Sequence, residues 1–553
     1  MKIRDLKISA RARGCLINAG YSTVEEIVNL PDNGLSGIHN LNGKCAKEIK
    51  DVITEYNRDI EPETDFTLDL HKVAKIREIL RHNQEKLVAR DDWDIMDEYE
   101  DYEGLSVKRH SVQETQIKIY RNIMHSLGGG TVPRGGLGYI TVVRAQEIDS
   151  LLRDNESIQN GGATFKFVVG DHGSGKTFLL QMIKENYIKN GFIVTEVDLS
   201  SDRNLIGDAT NKKGLATYRE LMSNVSNKVN QTGAALAKVI ESWVKTLFVR
   251  AAKELTKNPR GETNLERIAE TLMLHDCTKL QSLAYGFEFS QALKLFWKAS
   301  RTSDLNKKLT LQESVLHWLL GGYYTNQESK EALGINVTVQ DDNWFDYIIL
   351  WAQFFVMAGY KGFIILIDEL AYICNTANSI IRKINYEKLL MMYNSVLQGK
   401  AEYLGIIMGG IPKNIYDKKR GIFSNEAMRS KLSTETFQDP GIVNMMTSFI
   451  KVSPLTKEEM FVLLEKMAEI HSRLYYYSII ITEFEIIDFI KLAYLKRETS
   501  FITPRTLIRD FIQLLDVKKQ NPDKEIHEIL AAYKFIVDEE TSYEETGDEG
   551  HNE

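Results

Sequence analysis

A cluster of glycines, a lysine and a threonine in the first third of the chain has the pattern of a phosphate-binding loop. Residues 170–177 read G-D-H-G-S-G-K-T, and they follow the apolar run 165–169. A buried strand that ends in such a turn lets backbone N–H groups surround phosphate oxygens, and the next helix adds its positive dipole end. Lys176 should reach the β- and γ-phosphates of a nucleoside triphosphate, and Thr177 should offer a hydroxyl to Mg²⁺. The predicted nucleotide-binding residues are Gly170, Asp171, His172, Gly173, Ser174, Gly175, Lys176, Thr177 and Phe178.

Two acids at the end of a second apolar run could complete this site. Residues 362–369 read G-F-I-I-L-I-D-E, which places Asp368 and Glu369 at a strand end. Asp368 would hold Mg²⁺ through its water shell, and Glu369 would orient and polarise the attacking water. Acid pairs also occur at ordinary helix N-termini, but the intact loop upstream favours the functional interpretation. The presence of both acids indicates hydrolysis rather than binding alone.

Residues 347–367 form a mostly apolar stretch that is long enough to suggest a membrane span. Gln353, Gly359, Lys361 and Gly362 interrupt it, so we expect a buried helix, a short turn and then the strand that carries Asp368. The N-terminus lacks the layout of a signal peptide. The four cysteines have no C-x-x-C spacing, which excludes a disulfide framework and a cysteine-rich zinc site. We therefore expect a soluble, cytoplasmic protein without a membrane partner.

The net charge of −8 is unevenly distributed along the 553 residues. Residues 91–103 and 538–553 each carry eight acids and no base, so the rest of the chain has a net charge of +8. A mildly basic body tolerates a polyanionic partner without requiring one. The tail has few apolar residues to bury and is expected to be disordered. The internal run is either a solvated linker or, since aromatic residues interrupt it, a segment that docks.

Apolar strand signals alternate with helical ones through the middle of the chain. Strands are predicted at 165–169, 192–198, 363–367, 403–408 and 449–452, and residues 212–358 have a helical period. This alternation indicates an α/β fold in which helices cover both faces of a parallel sheet. Capping boxes at Thr456 and Thr482 then begin a helical C-terminal part.

The segment Thr503-Pro504-Arg505 combines a helix cap, a proline at the first helical position and an arginine in the first turn. The helix dipole disfavours a cation there, so a nearby γ-phosphate would account for Arg505. The alternative is an exposed arginine whose side chain only reaches solvent.

These features together resemble AAA+ ATPases of the origin-recognition type, which implies ATP as the nucleotide. More specifically, several blocks resemble the ATP-binding proteins of BREX phage-defence systems, over about residues 113–537. The blocks are 131–138 (T-V-P-R-G-G-L-G), 144–148 (R-A-Q-E-I), 161–165 (G-G-A-T-F), 197–200 (V-D-L-S) and 420–432 (R-G-I-F-S-N-E-A-M-R-S-K-L). The resemblance is weak across the helical insertion.

The resemblance implies roles for three arginines. Arg429 matches the arginine finger that completes a neighbouring subunit's site, with Arg420 as the alternate, and Arg505 matches the sensor 2 arginine of the lid. An ion pair within the fold is the alternative for Arg429. The strand at 403–408 ends in Gly409-Gly410 instead of the usual polar sensor residue, so no sensor 1 is assigned. The catalytic residues are then Lys176, Glu369, Arg429 and Arg505, and a finger acting in trans implies a homo-oligomer.

The first 60 residues resemble the C-terminal domain of the bacterial RNA polymerase α subunit, through residues 8–16 and 40–49. A hairpin between helices exposes N–H groups that can hold a DNA phosphate. Arg11, Lys44 and Cys45 match DNA-contacting positions of that family. Gly14 replaces an expected asparagine and the hairpin glycine is shifted by one position, which weakens the case for minor-groove binding. Docking to a protein and a purely structural cap are the alternatives.

The predicted architecture is an α/β protein with a P-loop parallel-sheet core, a large helical insertion, a helical lid and a small all-α N-terminal domain. The boundaries are 1–60 for the helix-hairpin-helix domain, 61–112 for an acidic connector, 113–455 for the ATPase core with its insertion at about 212–358, 456–537 for the lid and 538–553 for the tail. The predicted function is an ATP- and Mg²⁺-dependent ATPase that acts on DNA, or on a DNA-bound complex, together with other defence proteins. The alternative is a nucleotide-gated switch that assembles a protein complex without nucleic acid.

Overall fold

The structure, a computed structural model, describes most of the protein from residue 112 onward. The described residues are 13, 16, 19, 68–81, 112–142, 144–207, 211–257, 264–432, 448–478, 481–496 and 503–533. The helix-hairpin-helix prediction for residues 1–60, the acidic run 91–103 and the tail 538–553 fall outside these residues, apart from positions 13, 16 and 19.

A five-stranded parallel sheet is the centre of the part of the protein that the structure describes. Its strands are β1 (Ala163–Val169), β2 (Ile193–Asp198), β3 (Phe363–Asp368), β4 (Leu404–Gly410) and β5 (Phe449–Lys451). The strand order is β2-β3-β4-β1-β5, so β4 lies between the strand of the phosphate-binding loop and the strand of Asp368. All four pairings are parallel, and β3 and β4 are buried along their whole length. Parallel sheets of this kind are apolar on both faces because helices cover both.

Successive strand residues contribute to two different apolar clusters, which confirms that both sheet faces are covered. Phe167 and Ile365 belong to one cluster, whereas their neighbours Val168 and Ile364 belong to the other. This alternation follows from the period of two in a strand. The predicted α/β class and the five strand positions are therefore confirmed, except that β4 continues through Gly409 and Gly410 instead of ending at Met408.

Within the described residues, four α-helices lie between residue 112 and β2 and flank the first strand and its loop. They are α1 (Val112–Gly128), α2 (Ala145–Leu152), α3 (Asp154–Gln159) and α4 (Lys176–Lys189). Helix α4 begins inside the predicted phosphate-binding loop and buries Leu179, Leu180 and Ile183 against the sheet. It ends before Gly191, whose φ of +87° suits glycine.

Seven helices lie between β2 and β3 within the described ranges. They are α5 (Lys213–Ser223), α6 (Leu236–Lys257), α7 (Leu265–Leu280), α8 (Gly286–Ser300), α9 (Leu305–Leu319), α10 (Asn326–Leu333) and α11 (Trp344–Met357). Their core is rich in buried aromatic side chains, and Phe354 of α11 contacts both Trp243 and Phe289 edge-on. Such pairs stabilise a core beyond the area they bury.

Helix α11 is the apolar stretch that could be mistaken for a membrane span. It is buried on nearly all sides by the insertion and the sheet, and a turn at residues 358–362 separates it from β3. The predicted order of buried helix, turn and strand is thus confirmed. Of the helices in the described residues, none is long and apolar enough to cross a membrane.

Between β3 and β5 the protein forms four further helices in the described residues. They are α12 (Ala371–Cys374), α13 (Ser379–Leu397), α14 (Pro412–Tyr416) and α15 (Glu426–Leu432), with a 3₁₀ turn at Ile422–Ser424. Asn378 begins α13 because its side chain accepts hydrogen bonds from the N–H groups of Ile380 and Ile381.

The last four helices of the described residues pack around a further apolar cluster, and we refer to these four helices as the lid. They are α16 (Lys457–Tyr475), α17 (Glu483–Lys496), α18 (Pro504–Gln520) and α19 (Ile526–Ala532). The capping boxes at Thr456 and Thr482 and the cap at Thr503 are present as predicted.

Segments that precede the sheet in sequence also pack into the lid cluster. Helix α1 contributes Ile123 and Met124, and the helical residues 70–81 contribute Val73. Arg77 of the latter segment donates a hydrogen bond of 3.0 Å from Nε to Glu465 of α16. The apolar cluster of the lid therefore draws residues from segments on both sides of the sheet in sequence.

Candidate functional site

The phosphate-binding loop leaves β1 at Val169 and enters α4 at Lys176. Gly173 and Gly175 have φ values of +74° and +91°, a region that favours glycine. Gly170 is required for a different reason, because a Cβ atom there would lie less than 3 Å from Ser174 Oγ and the carbonyl oxygen of Val452. Each glycine of the motif is thus fixed either by backbone conformation or by a close contact.

Lys176 lies along this loop. Its Nζ donates hydrogen bonds of 2.9 Å to the carbonyl oxygens of Gly170 and Asp171. Burial lowers the pKa of Lys176, and the negative charges of Asp368, Glu369 and Asp171 oppose that shift. The ammonium group is therefore held between the loop and the acid pair, where it can meet a bound anion.

A polar atom inside the loop supports the fit to a phosphate group. Ser174 is fully buried, and its hydroxyl has no hydrogen-bond partner within the described residues. Buried hydroxyls normally have partners. Together with the N–H groups of the glycine turn and the Lys176 ammonium group, this hydroxyl makes the loop rich in donors and suited to phosphate oxygens.

The two motifs meet in one hydrogen bond. Thr177 Oγ1 donates to Asp368 Oδ2 at 2.8 Å, across 191 residues of sequence. A hydroxyl and a carboxylate are hard oxygen donors of the kind that Mg²⁺ prefers. Thr177 is exposed whereas Asp368 is buried, so the pair is accessible from the side of the phosphate-binding loop. These two residues fit a magnesium ion bound beside a triphosphate.

Glu369 has a backbone conformation that is unusual for its residue type. Its φ is +61°, and its N–H donates to Asp368 Oδ1 at 2.9 Å. Left-handed non-glycine residues cost of order 1–3 kcal/mol and occur preferentially at functional sites. The side chain is exposed at the end of β3, where water can reach its carboxylate.

The glycines at the end of β4 leave space for the acid pair. A Cβ atom at Gly409 would lie less than 3 Å from Asp368 Oδ1, and one at Gly410 would lie 3.1 Å from Leu370. This explains why no polar sensor residue stands at these two positions. The strand continues because Gly409 and Gly410 still pair with Val168 and Val169 of β1.

Asp198, which the sequence prediction did not include, is a third acid at this edge. It is the last residue of β2 and the register partner of Asp368. Loss of hydration raises the pKa of Asp198, and the charges of Asp368, Glu196 and Glu369 raise it further, while Arg203 opposes the shift. Its strand was predicted, but only the adjacency of β2 and β3 shows that its end meets the site.

The lid touches the phosphate-binding loop directly. A Cβ atom at Gly173 would lie 2.7 Å from the methyl group of Thr503, the residue that caps α18. Arg505 follows in the first turn of α18; it is exposed, and its aliphatic part lies beside Gly130. Phe178, predicted as a nucleotide-binding residue, packs against the lid cluster through its side chain.

The two finger candidates lie on the segment between β4 and β5. Arg429 is in α15, where its Nη2 lies 3.8 Å from Glu426 Oε1 and its side chain is 38% exposed. Arg420 is exposed, and its carbonyl oxygen accepts a hydrogen bond from Tyr386 of α13. The predicted DNA-contacting residues Arg11, Lys44 and Cys45 lie outside the described residues.

Comparison with known proteins identifies the family. Residues 116–534, more than half of the sequence, match the family model described as BREX system ATP-binding protein BrxC/D. The chain belongs to this family. Residues 1–55 match the family model of the C-terminal domain of the bacterial RNA polymerase alpha subunit. A DNA-directed RNA polymerase subunit alpha from Leifsonia xyli subsp. xyli (strain CTCB07) is 42% identical over 55 residues, which are 10% of this protein and 17% of that subunit.

Both resemblances seen in the sequence are thereby confirmed. Membership of the BrxC/D family supports ATP as the ligand of the loop and a place in BREX phage defence. The polymerase likeness concerns a small part of the subunit named above, and it is confined to the N-terminal segment of this protein.

Because Gly409 lies against the Asp368 carboxylate, a substitution at Gly409 tests whether the position of that carboxylate matters for binding. Gly409→Ala should weaken Mg²⁺-dependent ATP binding by about tenfold or more, because the added methyl group displaces the Asp368 carboxylate and overpacking of this kind costs roughly 1–3 kcal/mol. Binding is measured by calorimetry with and without Mg²⁺. Gly135→Ala is the matched control, since its Cβ would come no closer than 3.9 Å to another residue. If folded Gly409→Ala protein binds ATP and Mg²⁺ with wild-type affinity, the position of the Asp368 carboxylate is not required for binding.

Proposed function

We propose that the protein is a Mg²⁺-dependent ATPase of the AAA+ type, whose nucleotide-driven conformational cycle acts on DNA or on a DNA-bound complex in phage defence. The observation that carries hydrolysis is the contact between Thr177 and Asp368 with Glu369 exposed beside it. The family match supports ATP binding, and the contact between Thr503 and Gly173 supports a lid that responds to the nucleotide.

Each side chain of the site has a separate task in this proposal. The N–H groups of the loop and Lys176 bind the β- and γ-phosphates, whose oxygens replace the carbonyl acceptors that Lys176 has now. Thr177 and Asp368 hold Mg²⁺, and the ion supplies positive charge that offsets the charge on the phosphates. Glu369 orients a water molecule and accepts its proton as the water oxygen attacks the γ-phosphorus. The bond from that phosphorus to the bridging oxygen breaks, and ADP leaves with the bonding electrons.

An apolar surface beside the finger candidates supports a homo-oligomer. Helix α13 exposes Ile380, Ile384 and Met391 along one side, and Ile380 is 68% exposed. Their spacing places them on one face of the helix. The hydrogen bond from Tyr386 to the Arg420 carbonyl joins this helix to the arginine-bearing segment. We propose that a second copy covers this surface and receives Arg429, or Arg420 as the alternate, at its nucleotide.

Residues 1–60 are proposed to bring the ATPase to DNA. The match to the polymerase domain supports this. In this proposal Arg11, Lys44 and Cys45 contact the DNA. Contacts made by backbone amides and two cations are directed mainly to phosphates, so they carry little sequence information. The ATPase core and its partners in the defence system would then be concentrated on duplex DNA.

Substitutions of Lys176 and of Glu369 should have different effects on ATP binding and on hydrolysis. Lys176→Ala should abolish ATP binding, whereas Glu369→Gln should keep binding and stop hydrolysis, because the amide retains the shape of the acid but cannot accept the proton. Affinity is measured with labelled ATP and turnover by phosphate release. Glu270→Gln in the exposed part of α7 is the control. Wild-type turnover in Glu369→Gln would refute the role of this acid as the base.

The trans arrangement can be tested by mixing variants. Arg429→Ala should leave ATP affinity nearly unchanged and lower turnover, by roughly 10³–10⁵-fold if it matches measured arginine fingers. Mixing it with Lys176→Ala should restore part of the activity, because a mixed interface pairs one intact loop with one intact finger. Lys418→Ala, an exposed cation of the same segment, is the control. A protein that stays monomeric with ATP and shows no rescue at any mixing ratio would overturn the proposal.

DNA binding should be steeply salt-dependent and nearly independent of sequence. The logarithm of the binding constant should fall by about 0.9 per neutralised phosphate for each unit of log salt. Replacing Arg11 and Lys44 together by alanine should flatten that slope by up to about two units and leave basal ATPase activity unchanged. Fluorescence anisotropy over a salt series measures both. ATP-dependent assembly that ignores DNA, with no DNA binding at low salt, would instead support a switch that assembles proteins.

A further inference from the structure

Arg144, just before α2, is a buried arginine with a strained backbone. Its φ is +107°, far from the values that side chains other than glycine prefer, and the residue is 7% exposed. A buried, strained arginine needs strong compensating contacts, since both its conformation and its burial cost free energy. The contacts of its guanidinium group show which parts of the fold supply them.

That guanidinium group joins three segments that are distant in sequence. Its Nη2 donates to the carbonyl oxygen of Ser174 in the phosphate-binding loop at 2.8 Å and to the carbonyl oxygen of Ser453 at 2.6 Å. Its Nη1 donates to Glu147 Oε1 of α2 at 3.0 Å. Glu147 therefore balances the positive charge of Arg144 and orients its guanidinium group. The two carbonyl contacts connect the loop to the segment after β5.

Ser453 lies on the short connection between β5 and the first lid helix. The connection leads directly to Thr456, which caps α16. At the other side of the lid, Thr503 rests on Gly173 of the loop. The loop is thus connected to the lid at two points: by apolar contact at Gly173 and through Arg144 at Ser174.

We propose that Arg144 is a positioning residue that transmits the state of the phosphate-binding loop to the lid. Binding of a triphosphate draws the loop N–H groups toward its oxygens, and the Ser174 carbonyl shifts with the same peptide backbone. Because one guanidinium nitrogen holds both carbonyls, that shift reaches the lid connection. The inference rests on the proposed nucleotide site, and it assigns Arg144 no contact with the nucleotide itself.

The side chain type matters for this task. A guanidinium group offers several donors in a fixed plane, whereas an ammonium group is a single point with a shorter reach across two carbonyls. Arg144→Lys should therefore keep the charge near Glu147 and one carbonyl contact while weakening the bridge. Arg144→Met keeps most of the side-chain volume and removes all three hydrogen bonds.

Hydrogen–deuterium exchange of the full-length protein separates coupling from nucleotide binding. In the wild type, a slowly hydrolysed ATP analogue with Mg²⁺ should slow exchange in the loop at 171–177 and in the lid segments 454–460 and 503–510. In Arg144→Met at saturating analogue, loop protection should persist while the nucleotide-induced protection of the lid falls by roughly five- to tenfold. Arg144→Lys should be intermediate. Arg153→Met, an exposed arginine at the end of α2, should behave as wild type.

The outcomes distinguish the possible roles. If the analogue protects both the loop and the lid from exchange in Arg144→Met and Arg144→Lys as fully as in the wild type, the proposed coupling is overturned. If both variants lose protection from exchange equally in the loop and in the lid, and do so already without nucleotide, Arg144 only stabilises the fold. That result would also overturn the coupling. If the analogue protects neither loop nor lid in the wild type, the nucleotide site itself fails. If Arg144→Met does not fold, Arg144→Lys alone decides, because it retains the charge and one contact.

Discussion

The hydrogen bond between Thr177 and Asp368 joins the first turn of α4, the helix that follows β1, to the end of β3. Since β4 lies between β1 and β3, the start of α4 and the end of β3 meet beside the end of β4, and the Asp368 carboxylate needs room there. Gly409 provides that room, because any side chain there would occupy the position of the Asp368 carboxylate. The bare end of β4 and the acid pair on β3 are therefore two parts of one arrangement, and the absence of a polar residue at Gly409 follows from it.

The parts of the site that the sequence predicts depend on residues close together along the backbone. The glycine turn, its flanking strand and helix, the acid pair and the helix caps all have local patterns, and the structure contains each of them. Arg144 and Asp198 lie in blocks that carry the family resemblance, and Gly409 follows a predicted strand, but no local pattern assigns any of the three to the site. Asp198 meets Asp368 only because β2 pairs with β3, and Arg144 lies 309 residues from one of its partners. Their contributions follow from strand order and lid placement, which a local pattern does not determine.

The insertion between β2 and β3 shows how burial can imitate a membrane signal. Helix α11 is apolar on nearly every side because the sheet lies against one side and the aromatic core of the insertion surrounds the rest. A helix without a polar face has to be buried on all sides, in protein or in lipid. Its 14 residues fall short of the roughly 20 needed to cross a bilayer. Helix length, set here by the turn before β3, is what separates the two cases.

Backbone strain is found on two sides of the nucleotide site. Glu369 and Arg144 both have left-handed backbones that neither residue type favours, at a cost of order 1–3 kcal/mol each. Glu369 donates a backbone hydrogen bond to the Asp368 carboxylate, which would hold Mg²⁺ in the proposed site, and Arg144 donates to the carbonyl oxygen of Ser174 in the phosphate-binding loop. Any movement of Asp368 or of the loop therefore changes the contacts that maintain this strain. In the proposed mechanism, a ligand at the loop would therefore act on Glu369 and on the connection to the lid through the same few groups.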